Sequence, residues 1–347
     1  IAPGMKMKKV VVAMSGGVDS STAAYLLIKQ GMAVEGVFFV LFDNPSNLEL
    51  AAQTARFLGI KLHIKDLREY FKEKVIDPFF EGYSQGITPN PCIICNRYIK
   101  FHVLAKLADL TKAQFIATGH YARISKENDN VFLLKGVDNK KDQSYFLYGI
   151  DKSLLNHIIF PLGQYTKDEV KKIAETLDLP SKVAEESLEI CFLREKKYYE
   201  MMKAASGPII EKSTGKTVGQ HGGIHLFTIG QRKRIGVSVG YPAYVVQIEP
   251  SINAVYIASR KDAYMREFYV DDSNWLCEPA ENKFKCEVKI RYAMKPERAS
   301  ITLINNHRLK ITFDNPQFAP TPGQSAVFYE GEKVLGGGVI TELVQDS

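Results

Sequence analysis

The sequence predicts an α/β domain built on a parallel sheet, followed by two small β domains, the last a β-barrel. Three observations carry this. Up to about residue 200, short β-branched runs alternate with helical patterns, as βαβ crossovers require. From Pro208 onward the helical period disappears, and short strands are separated by Gly, Pro and Asn at close spacing. Finally, 347 residues exceed one typical domain, and the expected divisions are 1–198, 199–265 and 266–347.

The elements follow in order. Residues 10–13 (VVVA) form a strand, and 20–30 a helix closed by Gly31. Residues 34–40 (VEGVFFV) read as a buried strand, 48–58 as a helix stopped by Gly59, and 60–64 as a short strand. Residues 76–96, with three prolines and a C-x-x-C, read as a loop, followed by a helix through Ala108. Residues 115–118 form a strand ending at Gly119-His120, and Thr166-Lys167-Asp168-Glu169 fits a capping box opening a helix to Leu177. Residues 184–193 lead to Cys191. Seven strands are expected later, at 244–248, 254–258, 286–290, 299–303, 309–313, 325–329 and 334–340. In an open parallel sheet, ligands bind beyond the carboxyl ends of the strands. The turn after Ala13, the residues after Phe39 and the Gly119-His120 corner all fall there.

Composition narrows the function classes. Hydrophobic content of 45% and charged content of 24% are those of a soluble globular chain. No apolar run approaches the ~20 residues needed to span a bilayer. Residues 10–13 are too short for a signal-peptide core, so a cytoplasmic protein is expected. Ile1 to Gly4 precede Met5 and are set aside from fold reasoning. The net charge of +6 is compatible with a nucleic-acid partner without demanding one. Five cysteines, an odd number, argue against a disulfide framework and for catalytic or metal-binding thiols.

The first chemical signal is Ser15-Gly16-Gly17-Val18-Asp19-Ser20 between a strand and a helix. Backbone N–H groups at a helix N-terminus attract phosphate, and paired glycines let the backbone approach the anion. A Walker A loop would need a Lys that is absent here. The bland alternative is an ordinary strand–turn–helix corner. The string resembles the SGGxDS loop of the ATP pyrophosphatases (the PP-loop, adenine nucleotide alpha hydrolase-like proteins), which split ATP between its α and β phosphates. That resemblance implies ATP and Mg²⁺ as cofactors. Ala13, Met14, Ser15, Gly16, Gly17, Val18, Asp19 and Ser20 would hold the nucleotide, with Asp19 placing the metal. Phe39 would pack near the adenine, although it equally suits the core, and Gly119 would allow close approach.

The second signal is cysteine. Cys92 and Cys95 form a C-x-x-C, which suits a redox pair, half a zinc site or part of an iron–sulfur site. Further ligands at short spacing for zinc are missing, and Cys277 and Cys286 lie in or beside β segments and read as structural. A lone cysteine is usually a small buried hydrophobe. Arg97, Lys100 and a helix N-terminus near Cys95 favour a thiolate instead.

Four strings together resemble the tRNA-uridine 2-sulfurtransferases, bacterial enzymes that thiolate the wobble uridine. They are Thr88-Pro89-Asn90-Pro91 running on to Cys95-Asn96, then 117–123 (ATGHYAR), 141–147 (KDQSYFL) and Ile190-Cys191-Phe192. Residues 227–233 (FTIGQRK) and Pro322-Gly323-Gln324 extend the match through both β regions. The resemblance implies that ATP activates the uracil 2-oxygen as an adenylate, releasing pyrophosphate. Cys191 would carry a persulfide from a sulfur donor, a cysteine desulfurase or sulfur-relay protein, and Cys95 would be the second catalytic cysteine, with a Cys95–Cys191 disulfide left after transfer. It also implies contact with the tRNA anticodon loop through His120, Lys141, Asp142, Gln143, Arg291, Tyr292 and Gln324, with Asn90, Pro91 and Cys92 bordering a splayed base.

Two departures stand out. Cys92 replaces an Asp common in the family, so an iron–sulfur cluster on Cys92, Cys95 and Cys191 is the alternative to the persulfide. Arg234 replaces the Gly that usually follows GQRK, adding a positive charge on a face expected to meet RNA and nothing more. Two functions compete with this reading: a GMP-synthetase-type amidotransferase, which has no use for Cys95 and Cys191, and a non-catalytic tRNA-binding protein.

Overall fold

The computed structural model describes residues 7–184, 190–193, 202, 205–305 and 307–344. The chain divides into two compact units, one of Ile1–Lys74, Cys92–Leu188 and Glu332–Val334, the other of Val75–Pro91, Glu189–Gly331 and Leu335–Ser347.

The first unit is built on strands β1 (Lys9–Ala13), β2 (Ala33–Val40), β3 (Lys61–Asp66) and β4 (Phe115–Ala117), with a two-residue strand at Ile158–Ile159. They form one fully parallel sheet in the order β3-β2-β1-β4 and then Ile158–Ile159. Val10, Val11 and Val12 are wholly buried because β1 lies at the centre of a two-faced sheet. One face packs Val10, Val12 and Met14 against Ala24 and Leu27 of helix α1 (Val18–Lys29). Gly36 makes room there, since a Cβ would fall 2.5 Å from the Met14 sulfur. Ala23 and Leu26 of α1 pack instead with Tyr121, Leu162 and Val170.

Local signals placed most ends. Gly31 and Gly59 take the left-handed φ values (80° and 66°) that stop helices. Helix α2 (Pro45–Leu58) starts three residues before the expected Leu48, because Asn44 caps it by accepting from the Asn47 N–H at 3.2 Å and Pro45 occupies the first turn. The short helix α3 (Arg68–Phe71) runs on through a π-helical turn, Lys72–Ile76.

The expected loop at 76–96 is a correction. It contains helices α4 (Asp77–Ser84) and α5 (Pro91–Ile94), and a π-helical turn (Cys95–Lys100) joins α5 to α6 (Phe101–Thr111). Pro78 and Pro91 sit in first turns, where a missing N–H costs nothing, and Phe79 and Tyr83 meet edge-on one turn apart, ring centres 5.0 Å from each other. A second correction is a β-hairpin within the region read as α/β, residues 122–127 and 130–135, turning at Asn128 with φ 55°. Helix α7 (Lys167–Thr176) opens on the expected capping box: Glu169 N–H donates to Thr166 Oγ1, and the Thr166 N–H to Glu169 Oε2 at 2.7 Å.

The second unit holds a four-stranded sheet and a barrel. Residues 207–211, 217–221, 243–249 and 254–259 form the sheet around Ile209, Val245, Val255 and Ile257. The first two lie outside the strands that the sequence predicts. The barrel closes six antiparallel strands, in the order 264–275, 309–318, 297–303, 283–289, 325–330 and 333–344, with the last pairing back to the first. Closure removes the free edges. Its interior is Phe268, Val288, Ile301, Ile311, Phe313 and Phe328. Cys286 packs against that core, and burial pushes its thiol up to about 12, which suits a framework residue.

Candidate active site

In the first unit the glycine turn after β1 opens α1 with no side chain capping the helix, so its first N–H groups point at the space beyond the sheet edge. Serines tie the turn together. Ser20 Oγ accepts from the Ser15 N–H at 3.1 Å and donates to the Gly17 carbonyl at 3.1 Å, which Ser21 Oγ also reaches at 3.0 Å. Met14 faces the core, whereas Ser15 is exposed.

Two positions must be Gly. Gly16 has φ 81°, and a Cβ there would stand 2.3 Å from the Asn47 carbonyl oxygen. Gly119, after β4, would put a Cβ 2.9 Å from the Asp19 carbonyl carbon and the Ser20 nitrogen. Gly16→Ala should therefore cost about 2–4 kcal/mol, combining left-handed strain with a backbone collision. A denaturant midpoint equal to that of the parent protein would refute this packing.

Asp19 receives three bonds. Lys167 Nζ donates to both carboxylate oxygens at 2.6 and 2.8 Å, and Tyr121 Oη donates to Oδ1 at 2.8 Å. The Lys167 side chain is 9% exposed and that of Asp19 33%. Lys167 is the functional residue that motif reading missed. Its signal was available, since a lysine at the first position of a capped helix opposes the dipole and needs an anion nearby. The cation missing from the loop sequence thus arrives from α7.

The 141–143 segment buttresses this group. Gln143 accepts the Tyr121 N–H through Oε1 at 2.9 Å and returns its own N–H to the Tyr121 carbonyl at 2.9 Å. Buried Asp142 accepts from the Gly136 and Ser144 N–H groups at 3.0 and 3.1 Å and from Ser144 Oγ at 2.9 Å. Lys141 is half-buried beside them, and Phe39 is half-buried at the carboxyl end of β2.

His120 lies between the rings of Phe101 and Phe160, with Nδ1 2.7 Å from Thr118 Oγ1. Burial, and secondarily Lys100, hold its pKa well below the usual imidazole value. The unfolded chain then binds the extra proton first, so this contribution is intact above about pH 6.5 and lost as pH falls toward the folded value. The thermal midpoint should drop more between pH 7 and 5 in the parent than in His120→Asn, by on the order of 2–4 °C. Equal drops would refute it.

Of the cysteines, Cys92 is exposed in the first turn of α5 and Cys95 is 6% exposed, a turn further in. The helix N-terminus expected near Cys95 lies one turn before it, at Pro91. Among the described residues no three His, Cys, Asp or Glu side chains gather as metal ligands.

In the second unit, Cys191 opens a short 3₁₀ turn, half-buried, and Phe192 meets Phe79 edge-on at 5.3 Å. Thr88 is clasped from the barrel: its N–H donates to the Pro322 carbonyl at 2.9 Å, and Gln324 Nε2 donates to its carbonyl at 2.9 Å. Half-buried Asn90 and buried Pro91 follow directly. Arg291 Nη2 is spent on the Ile229 and Ala319 carbonyls, both at 2.8 Å, and on Thr321 Oγ1 at 2.6 Å. Tyr292, by contrast, is 37% exposed, with Lys289 Nζ 5.2 Å from its ring centre.

Comparison with known proteins covers nearly the whole chain. Residues 8–195 match the family model described as tRNA methyl transferase HUP domain, 196–259 the tRNA methyl transferase PRC-barrel domain, and 265–340 the aminomethyltransferase beta-barrel domain. A tRNA-specific 2-thiouridylase MnmA of Clostridium botulinum (strain Alaska E43 / Type E3) is 40% identical over 97% of this chain and 99% of its own. Another, of Carboxydothermus hydrogenoformans, is 41% identical over 96% and 97%. Among solved structures, a 4-thiouridine synthetase–RNA complex with bound ATP aligns over 55% of this chain and 46% of its own, at 22% identity and a TM-score of 0.38.

Proposed function

Because the chain belongs to the tRNA-specific 2-thiouridylase MnmA family, we propose that it performs ATP-dependent 2-thiolation of the wobble uridine of tRNA. The observation that carries this reading is the uncapped glycine loop whose Asp19 is paired with buried Lys167. It is an anion cradle with its own cation, at the carboxyl edge of a parallel sheet.

The loop fits a nucleotide: the N–H groups of 16–18 would face the phosphates, Gly16 and Gly119 leave room for them, and Lys167 would offset their charge. Asp19 would hold Mg²⁺, which when bound draws electron density off the phosphate oxygens. The uracil 2-oxygen attacks the α-phosphorus of ATP, displacing pyrophosphate and turning a carbonyl oxygen into an AMP leaving group. The terminal sulfur of a Cys191 persulfide then adds to C2. Cys95 thiolate attacks the Cys191 sulfur and breaks the S–S bond, so the transferred sulfur stays on uracil as AMP departs. A Cys95–Cys191 disulfide forms, and two electrons and two protons from an external thiol restore both cysteines. A sulfur donor then reloads Cys191.

Asn90, Pro91 and Cys92 border the target base, and exposed Tyr292 supplies a stacking face. Asp142, Gln143, Arg291 and Gln324 act by holding the surfaces around the tRNA, since their polar groups are bonded within the fold. We assign these tasks to three domains, 1–198, 199–265 and 266–347. No helix among the described residues is long and apolar enough to cross a membrane, and the cytoplasm, where tRNA is found, is the proposed location.

The test is nucleoside mass spectrometry on unmodified tRNA treated with the protein, ATP, Mg²⁺ and a persulfide source. 2-Thiouridine should appear, and only with ATP. Its absence, or its formation without ATP, rejects the proposal.

A further inference from the structure

In the second unit, Phe227, Ile229 and Ile235 are buried anchors on either side of a short exposed loop. The loop's root is fixed. The Gly230 N–H donates to the Val245 carbonyl at 2.8 Å, the Thr228 N–H donates to Gln231 Oε1 at 3.0 Å, and Gln231 Nε2 donates to the Lys233 carbonyl at 3.0 Å. Arg291 holds the Ile229 carbonyl from below. On this rigid base, Arg232, Lys233 and Arg234 are three consecutive exposed cations, and among the described residues none of them forms an ion pair.

Arg234 is the informative one. Its φ is 62°, a left-handed conformation that glycine adopts freely and a long side chain does not. Two of its loop neighbours, Gly230 and Gly236, are glycines with positive φ. Glycine would hold this conformation without strain, and this chain carries a charged residue there. The expectation that Arg234 adds a charge and nothing more is incomplete, because the charge is held at the expense of backbone strain.

We propose that Arg232, Lys233 and Arg234 form a phosphate-binding loop for the tRNA backbone close to the target nucleotide, with Arg234 one of its contacts. The location follows from the loop's root. Thr228 Oγ1 lies 3.4 Å from Thr88 Oγ1, and Thr88 leads directly into Asn90 and Pro91. Three unpaired cations presented from a fixed loop suit an irregular phosphate backbone, not a base edge, and their contribution should be electrostatic and sequence-independent. This inference rests on the thiolation reading only in naming tRNA as the polyanion.

The experiment measures binding of an unmodified tRNA transcript by the full chain from about 50 to about 200 mM salt. Arg234→Asn keeps a residue tolerant of left-handed φ and removes the charge, whereas Arg234→Lys keeps the charge. The asparagine variant should bind about three- to tenfold more weakly, with the slope of log affinity against log salt reduced by about 1. The lysine variant should stay within about twofold of the parent by the same electrostatic argument. A purely conformational role predicts the opposite order. Thermal midpoints of Arg234→Asn and Arg234→Gly should not fall below the parent's, which separates lost contact from lost fold. The proposal is overturned if Arg234→Asn binds tRNA like the parent with the same slope. It is also overturned if Asn and Lys variants are equally weak, or if only transfer from a sulfur-carrier protein is slowed. A parent protein that fails to bind tRNA overturns the thiolation reading together with this one.

Discussion

Cys191→Ser is expected to abolish 2-thiouridine formation, by about 10³-fold or more, while tRNA-dependent release of pyrophosphate from ATP persists. A serine oxygen cannot carry the sulfane sulfur, so no nucleophile is available for the activated base. The ATP step uses the glycine loop and Asp19, none of which this substitution touches. Cys95→Ser should also stop turnover, but for a different reason. The persulfide sulfur can still add to C2, and it remains tethered to Cys191 because no thiolate cleaves the S–S bond, so a covalent protein–tRNA adduct sensitive to thiol reductants should accumulate. Gel electrophoresis without reductant reads that adduct, and mass spectrometry reads the nucleoside. Cys277→Ser, a change in the framework of the barrel unit, should leave thiolation within about twofold, as surface-distant changes do. Cys92 separates the alternatives. Three-thiolate cluster chemistry makes Cys92→Ser as damaging as Cys191→Ser, whereas the persulfide route predicts a loss under about tenfold. Equal, complete loss at Cys92, Cys95 and Cys191 would reject the persulfide.

Lys167→Met is expected to lower pyrophosphate release by about 10²–10³-fold, a magnitude typical of removing a charged group from a phosphoryl-transfer site. Among the described residues, the same change leaves Asp19 with Tyr121 as its one donor. Because Asp19 is one-third exposed, the stability cost is about 1–3 kcal/mol, less than for a fully buried pair. Adding Asp19→Asn removes the orphaned charge, so the double variant should regain most of that stability while remaining inactive. Lys167→Arg should restore stability in part, since guanidinium can pair with Asp19 but lacks the compact ammonium's fit. If Lys167→Met releases pyrophosphate at the parent rate, the lysine is only a structural counter-ion and the assignment to the phosphate site fails.

These two predictions differ in how much of their basis can be read along the chain. The β-branched run at 10–13, the helix stops at Gly31 and Gly59 and the Thr166 capping box are local signals, and each formed where expected. Prolines misled at 76–96 because Pro78 and Pro91 begin helices, a placement that a loop reading based on proline content overlooks. The hairpin at 122–135 was hidden because both strands are short and the first, ARISKE, is largely polar. At the site, the glycine loop was legible because its chemistry lies in consecutive residues. The Asp19–Lys167 pair spans 148 positions, so only its residue type and helix position hinted at a partner. The anchoring of Arg291 was equally hidden, because the three oxygens that accept from its Nη2 come from residues 28 to 62 positions away. Arg234 could be recognised as a departure but not explained until its backbone angle was known.

The clasp on Thr88 also sets an order of assembly during synthesis. Gln324, which holds the Thr88 carbonyl, leaves the ribosome 236 residues after it. At about 5–20 residues per second, that is roughly 12–47 seconds in which Asn90 and Pro91 lack their support from the barrel. The β1 strand, the glycine loop and the Lys167 partner of Asp19 are all made well before then. A nascent chain can thus complete its phosphate cradle early, while the stretch that borders the base takes its final place only after the last barrel strands emerge.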